Sequence, residues 1–116
     1  MNKIEIPYDF NGYLRHGYDN PVPLSAIDYI IDSTGSEVLL SENMDICIFE
    51  IDYDALGNQD NLYADGIVTS NPKFNGVEID DVLRDFLSHF KWWFQINKYG
   101  IRHESDRNKI VAERQR

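Results

Sequence analysis

The sequence predicts an α+β fold: an antiparallel β-sheet of about six short strands with one main helix packed on it. Three observations carry this. Apolar residues alternate with period two in several short runs. Turn-forming Gly, Asn and Pro pairs separate those runs. Residues 80–90 show the clearest helical periodicity. A β-sandwich or partly closed barrel is the alternative, since short strands between such turns also build those. At 116 residues the chain has the size of one domain, expected to span 1–116 with 107–116 as a frayed tail or short helix.

Ile4, Ile6, Tyr8 and Phe10 alternate and Asn11-Gly12 follows, a hairpin signal. Pro7 lacks the ladder donor of a central strand, so this run is an edge strand or an irregular arm. Asp19-Asn20-Pro21-Val22-Pro23 reads as a loop. Residues 24–40 admit two readings. Ser25 and Asp28 resemble a capping box, with Ala26, Ile27, Ile30 and Ile31 on one helix face. Alternatively, Ile27, Tyr29 and Ile31 line one side of a strand, Ser33-Thr34-Gly35-Ser36 turns, and 37–41 returns. The β-branched and aromatic content around a Gly-containing turn favours the hairpin.

Residues 44–53 form the clearest strand. Ile46 and Ile48 point one way and Cys47, Phe49 and Ile51 the other, so the strand is central and covered on both faces. A loop over 55–61 leads to a strand over 62–70, in which Gly66 marks a bulge or a close backbone approach. Asn71-Pro72 and Asn75-Gly76 are turn signals. Over 80–90, Val82, Leu83, Phe86, Leu87 and Phe90 make one apolar stripe, and Asp80 and Asp81 suit the positive end of a helix. A hairpin follows: strand 91–96, a loop over 97–100 in which Gly100 supplies a positive φ, and a return over 101–104. Pairing Ile96 with Ile101 puts Trp92, Phe94, Ile96, Ile101 and His103 on the core face. It leaves Lys91, Trp93, Gln95, Arg102, Glu104 and Asp106 on a polar face.

Most chemistries lack their residues. Asp52, Asp54 and Gly57 start like a calcium loop, but Leu56 and Tyr63 occupy positions that need oxygen ligands. One cysteine and the scattered His16, His89 and His103 give no zinc spacing. Cys47, flanked by isoleucines, reads as a small buried hydrophobe, and His103 as a satisfied core histidine. No nucleophile elbow and no phosphate-binding glycine loop occur. No catalytic residue, cofactor or metal is expected. A lone cysteine, no membrane-length apolar run and no signal-like N-terminus predict a cytoplasmic protein without disulfides.

Charge carries the functional signal. The formal net charge is −9, but residues 1–90 hold 17 acidic and 4 basic side chains while residues 91–116 hold 3 and 7. No Lys or Arg lies between Arg15 and Lys73, a stretch with eleven carboxylates. A polyanion would be repelled, so direct nucleic-acid binding is disfavoured. A basic protein partner fits. Aromatic residues among the acids supply contact area, and carboxylates select Arg and Lys. The candidate partner-binding residues are Glu50, Asp52, Tyr53, Asp54, Asp60, Tyr63 and Asp65, with Trp93 as an exposed anchor.

The segment Lys91-Trp92-Trp93-Phe94-Gln95-Ile96-Asn97-Lys98-Tyr99-Gly100-Ile101-Arg102-His103-Glu104-Ser105-Asp106 resembles the strand-turn-strand ending of small acidic immunity proteins of bacterial toxin systems, including those of contact-dependent growth inhibition. The resemblance implies a non-enzymatic inhibitor that masks the active site of a basic toxin, a nuclease above all. It assigns no individual residue a role. Two further readings stay open: a DNA-mimicking inhibitor of a host nuclease or restriction system, and a small-ligand-binding domain.

Overall fold

The computed structural model describes residues 3–10, 21–73 and 80–106. The expected turns at Asn11-Gly12 and Asn75-Gly76, the start of the loop expected over 19–23, His16 and the terminal segment 107–116 lie outside the described residues. In chain order the described elements are β1 (Ile4–Pro7), β2 (Val22–Ser25), β3 (Tyr29–Ile31), β4 (Glu37–Leu39), β5 (Asp45–Glu50), β6 (Leu62–Thr69), α1 (Asp81–Leu87), β7 (Trp92–Ile96) and β8 (Arg102–His103).

The main sheet has the order β1-β5-β6-β7-β2, with β8 also on β6, and β3 pairs β4 separately. β1 runs parallel to β5, while the other pairs in the main sheet are antiparallel. The sheet is therefore mixed, which corrects the antiparallel expectation. Parallel neighbours need a long crossover, and here β2, β3 and β4 supply it. The sheet curls into a half-barrel, so the barrel alternative comes closer than a flat sheet under a helix. Its two edges are bridged: the Tyr8 hydroxyl at the end of β1 donates to the Pro23 carbonyl of β2 at 2.6 Å. The β3–β4 hairpin bridges them again. It begins just after β2, and its turn donates Ser33 N–H to the Glu5 carbonyl of β1 at 2.9 Å.

Strand alternation fills the curl. Ile6, Ile46, Ile48, Ala64, Val68, Phe94 and Ile96 share the core with Phe10, Val22, Leu24 and Leu40, and Ile30 and Val38 of the hairpin pack against it. The expected hairpin is present, and its row Ile27, Tyr29, Ile31 is the outward, exposed one. β5 lies between two strands with Ile46, Cys47 and Ile48 fully buried, as its two apolar faces predict. At Gly66 a Cβ would collide with the Gln95 carbonyl and stand 2.9 Å from Phe94 Cζ, which is the close approach expected there.

The last hairpin does not form. β7 pairs with residues 66–69 of β6, and β8 pairs with Leu62 and Tyr63 on that same flank. The two strands therefore run in one direction along one partner. Residues 97–101 bulge out between them, held by Asn97 N–H on the Asp65 carbonyl at 2.8 Å and by a turn from Gly100 N–H to the Asn97 carbonyl. Gly100 does have positive φ. The turn chemistry was legible, but a longer strand, β6, outcompetes a two-strand pairing.

Two further expectations fail for one reason. The α1 stripe is not the main cover of the sheet: Val82 is 80% exposed. The helix region instead meets the sheet through rings, Phe86 on Phe90 at 5.4 Å and Phe90 on Trp93 at 5.7 Å. That stack covers Trp93, which is 3% exposed and no exposed anchor. No helix among the described residues is long and apolar enough to cross a membrane.

Candidate functional site

Beyond Glu50 and Leu62 the β5–β6 hairpin leaves the sheet as an arm over residues 51–61. The arm is hydrogen-bonded across its width. Asp52 N–H donates to Asn61 Oδ1 at 3.2 Å, Asp60 N–H to the Asp52 carbonyl at 2.9 Å, and Asp54 N–H to the Asn58 carbonyl at 2.8 Å. Tyr53 and Gln59 form an antiparallel bridge between these rungs. The tip is a capped turn: Asp54 Oδ1 accepts Leu56 N–H and Asn58 N–H, both at 2.9 Å, and Gly57 takes φ +83°. The β3–β4 turn repeats this device, with Asp32 Oδ1 accepting Thr34 N–H and Ser36 N–H and with Gly35 at φ +85°. The calcium-like spacing of Asp54 and Gly57 is thus turn chemistry, and the described residues contain no group of metal-ligating side chains.

The arm places the candidate residues unequally. Tyr53 is 59% exposed, and Leu56 at the tip is 86% exposed. Ile51 is exposed as well. Tyr63 and Asp65 are buried in β6. Tyr63 stacks on Phe49 at 6.0 Å, and burial raises its phenol pKa. With Trp93, these three lie in the sheet rather than on a contact surface.

The acids are also less free than their sequence suggests. No Lys or Arg lies between Arg15 and Lys73, yet segments outside that stretch supply partners. Asp65 binds Arg102 at 2.8 Å and Lys3 at 3.5 Å, Asp28 binds Lys91, and Asp52 Oδ2 meets His103 Nε2 at 3.0 Å. Hydrogen bonding to His103, then to its own neighbouring backbone, holds the Asp52 pKa down. Asp60 accepts Ser105 N–H at 3.1 Å and Ser105 Oγ at 2.9 Å. Glu42 takes the Thr69 hydroxyl and the Ser70 amide and hydroxyl. Glu50 is pushed up instead, first by burial and then by the negative charge of Asp9 beside it. His103 sits half-exposed at the sheet rim, a partner of Asp52 rather than a core histidine.

Sequence reasoning missed Ile51 and Leu56 as exposed apolar groups, and missed Lys3, Arg102, His103 and Ser105 as partners of the acids. The Asp-x-x-Gly spacing at 54–57 was the available signal for Leu56, since it predicts a tip that strands the residue before the glycine in solvent. Compared with known protein families, with curated proteins and with solved structures, the chain matches none.

Proposed function

We propose that the protein is a non-catalytic inhibitor, an immunity protein that binds a basic toxin and masks its active site, the toxin being a nuclease. One observation carries this reading. The arm projects Ile51, Tyr53 and Leu56 into solvent beside Asp52, Asp54 and Asp60, with no basic residue anywhere in 51–61. Exposed apolar side chains ringed by one sign of charge suit a partner that is apolar at the centre of contact and cationic around it. A nuclease cleft, built to take a polyanion, has such a rim. A standard interface takes about 800 Å² per partner, so the arm is its centre rather than its whole.

The interface is apolar-led. Asp52 and Asp60 point at His103 and Ser105, so Tyr53, Leu56 and the tip carboxylate Asp54 make the first contacts. Co-expression with the product of the adjacent upstream gene tests the reading. That product arrests growth alone, and this protein restores it. A product that is harmless alone, or that stays toxic beside this protein, overturns the proposal.

A further inference from the structure

The arm has only a two-stranded ladder of its own, and an isolated two-stranded ribbon is marginal in water. Among the described residues it is braced from one side by one short segment, residues 102–105. β8 docks on Leu62 and Tyr63 at the arm's root, and Glu104 N–H donates to the Asn61 carbonyl at 2.9 Å. From this segment His103 reaches Asp52 on one strand of the arm, and Ser105 takes both carboxylate oxygens of Asp60 on the other. Asp52 and Asp60 are opposite each other, joined by the Asp60 N–H bond to the Asp52 carbonyl. Both strands are therefore clamped at the same level, one by a hydroxyl and an amide whose bonds do not titrate, the other by an imidazole.

We propose that residues 102–105 are a brace that sets the order of the arm, and that His103 makes the brace pH-dependent: the arm is held most firmly with His103 protonated and loosens as that proton leaves. Histidine is the side chain that changes charge between pH 5 and 8. Most of the charged groups around it on the described elements packed there are acidic. Asp52 and Asp60 lie on the arm, Glu50 stands in the same register row across Leu62 with Asp9 beside it, and Glu104 and Asp106 follow on its own segment. The cation next to it on that segment, Arg102, is engaged by Asp65 at 2.8 Å, while His103 Nε2 meets Asp52, so protonation of His103 adds attraction to Asp52. The inference deepens the proposed function, because the braced arm is the surface that function uses, but its test needs no partner.

The test is amide hydrogen exchange on the free protein between pH 5.5 and 8, corrected for intrinsic rates, read at Asp54 and Asp60, whose N–H groups span the arm. Both contact side chains are about two-fifths exposed, and exposed ion pairs contribute up to about 1 kcal/mol, so protection falls by up to about fivefold across the range. Ile48 and Ala64 amides in the sheet do not follow. His103→Gln and Asp52→Asn each flatten the profile, and Ser105→Ala lowers protection equally at every pH. A flat profile in the unmodified protein, or an unchanged fall in His103→Gln, overturns the proposal. If no basic partner exists, the proposed function fails while this profile stands, so the two failures are distinguishable.

Discussion

Replacing Asp65 with alanine separates a structural carboxylate from a partner-binding one. In the sequence Asp65 belongs to the acidic run. In the fold it lies on β6 with Arg102 Nη2 at 2.8 Å, and the two side chains are 11% and 10% exposed. Arg102 Nε is already buried with no hydrogen-bond partner among the described residues, and its Nη1 reaches only the Gly100 carbonyl at 3.4 Å. Removing the carboxylate strands a buried guanidinium, a change that costs about 3–5 kcal/mol. Lys3 at 3.5 Å is more exposed and adds less than about 1 kcal/mol. Against a total stability of about 5–15 kcal/mol for a domain, the loss is large. Urea unfolding followed by tryptophan fluorescence measures it as a fall in midpoint at unchanged slope. The double variant Asp65→Leu with Arg102→Met recovers most of the loss, since replacing both members of a buried pair with apolar groups is often neutral. A loss under about 1 kcal/mol in Asp65→Ala refutes the assignment and returns Asp65 to the contact surface.

Three other outcomes follow from the structure. Gly66→Ala destabilises by about 3 kcal/mol or more, because the clash is with the backbone carbonyl of Gln95 rather than with a movable side chain, and thermal unfolding reads it. Glu50→Gln has a pH signature. Burial and Asp9 raise the folded pKa of Glu50 above its unfolded value, so the favourable contribution of its protonated form is complete below the unfolded pKa and lost as pH rises through the folded one. Glutamine cannot ionise, so the variant melts a few degrees higher than the unmodified protein at pH 7, and the gap closes below about pH 4. Asp54→Asn keeps the oxygen that caps the arm's tip while removing its charge, so it leaves the melting temperature unchanged and slows association with a basic partner, most at low salt.

How far the sequence could be read depended on whether the deciding contact was local. The β3–β4 hairpin and the loop after β5 were legible because turn residues and alternation decide them within a few positions. The burial of β5 was legible because Ile46, Cys47 and Ile48 leave it no polar face. The parallel β1–β5 pair was not, since nothing near Ile4 or Ile46 records which strand arrives beside it after a crossover. The supposed hairpin over 91–104 failed because its turn signal at Gly100 is compatible with a bulge on a longer neighbour, and only β6 decides between them. The acidic stretch was misjudged for the same reason. Its freedom from Lys and Arg is a local property, while Lys3, Lys91, Arg102 and His103 reach it from outside the stretch. Tyr53 survives as a candidate and Trp93 does not, because the Phe90 ring covers Trp93 and no sequence spacing announces that cover.

The most direct measurement is the equilibrium affinity of the purified protein for the purified product of the adjacent upstream gene, compared with that of a Tyr53→Ala, Leu56→Ala double variant. Both side chains stand in solvent in the free protein, so the variant unfolds within about 0.5 kcal/mol of the original. If the arm is the centre of the interface, central anchors contribute about 2 kcal/mol each, and the Kd rises by about a hundredfold or more. An unchanged Kd with unchanged stability contradicts the account and moves the working surface away from the arm.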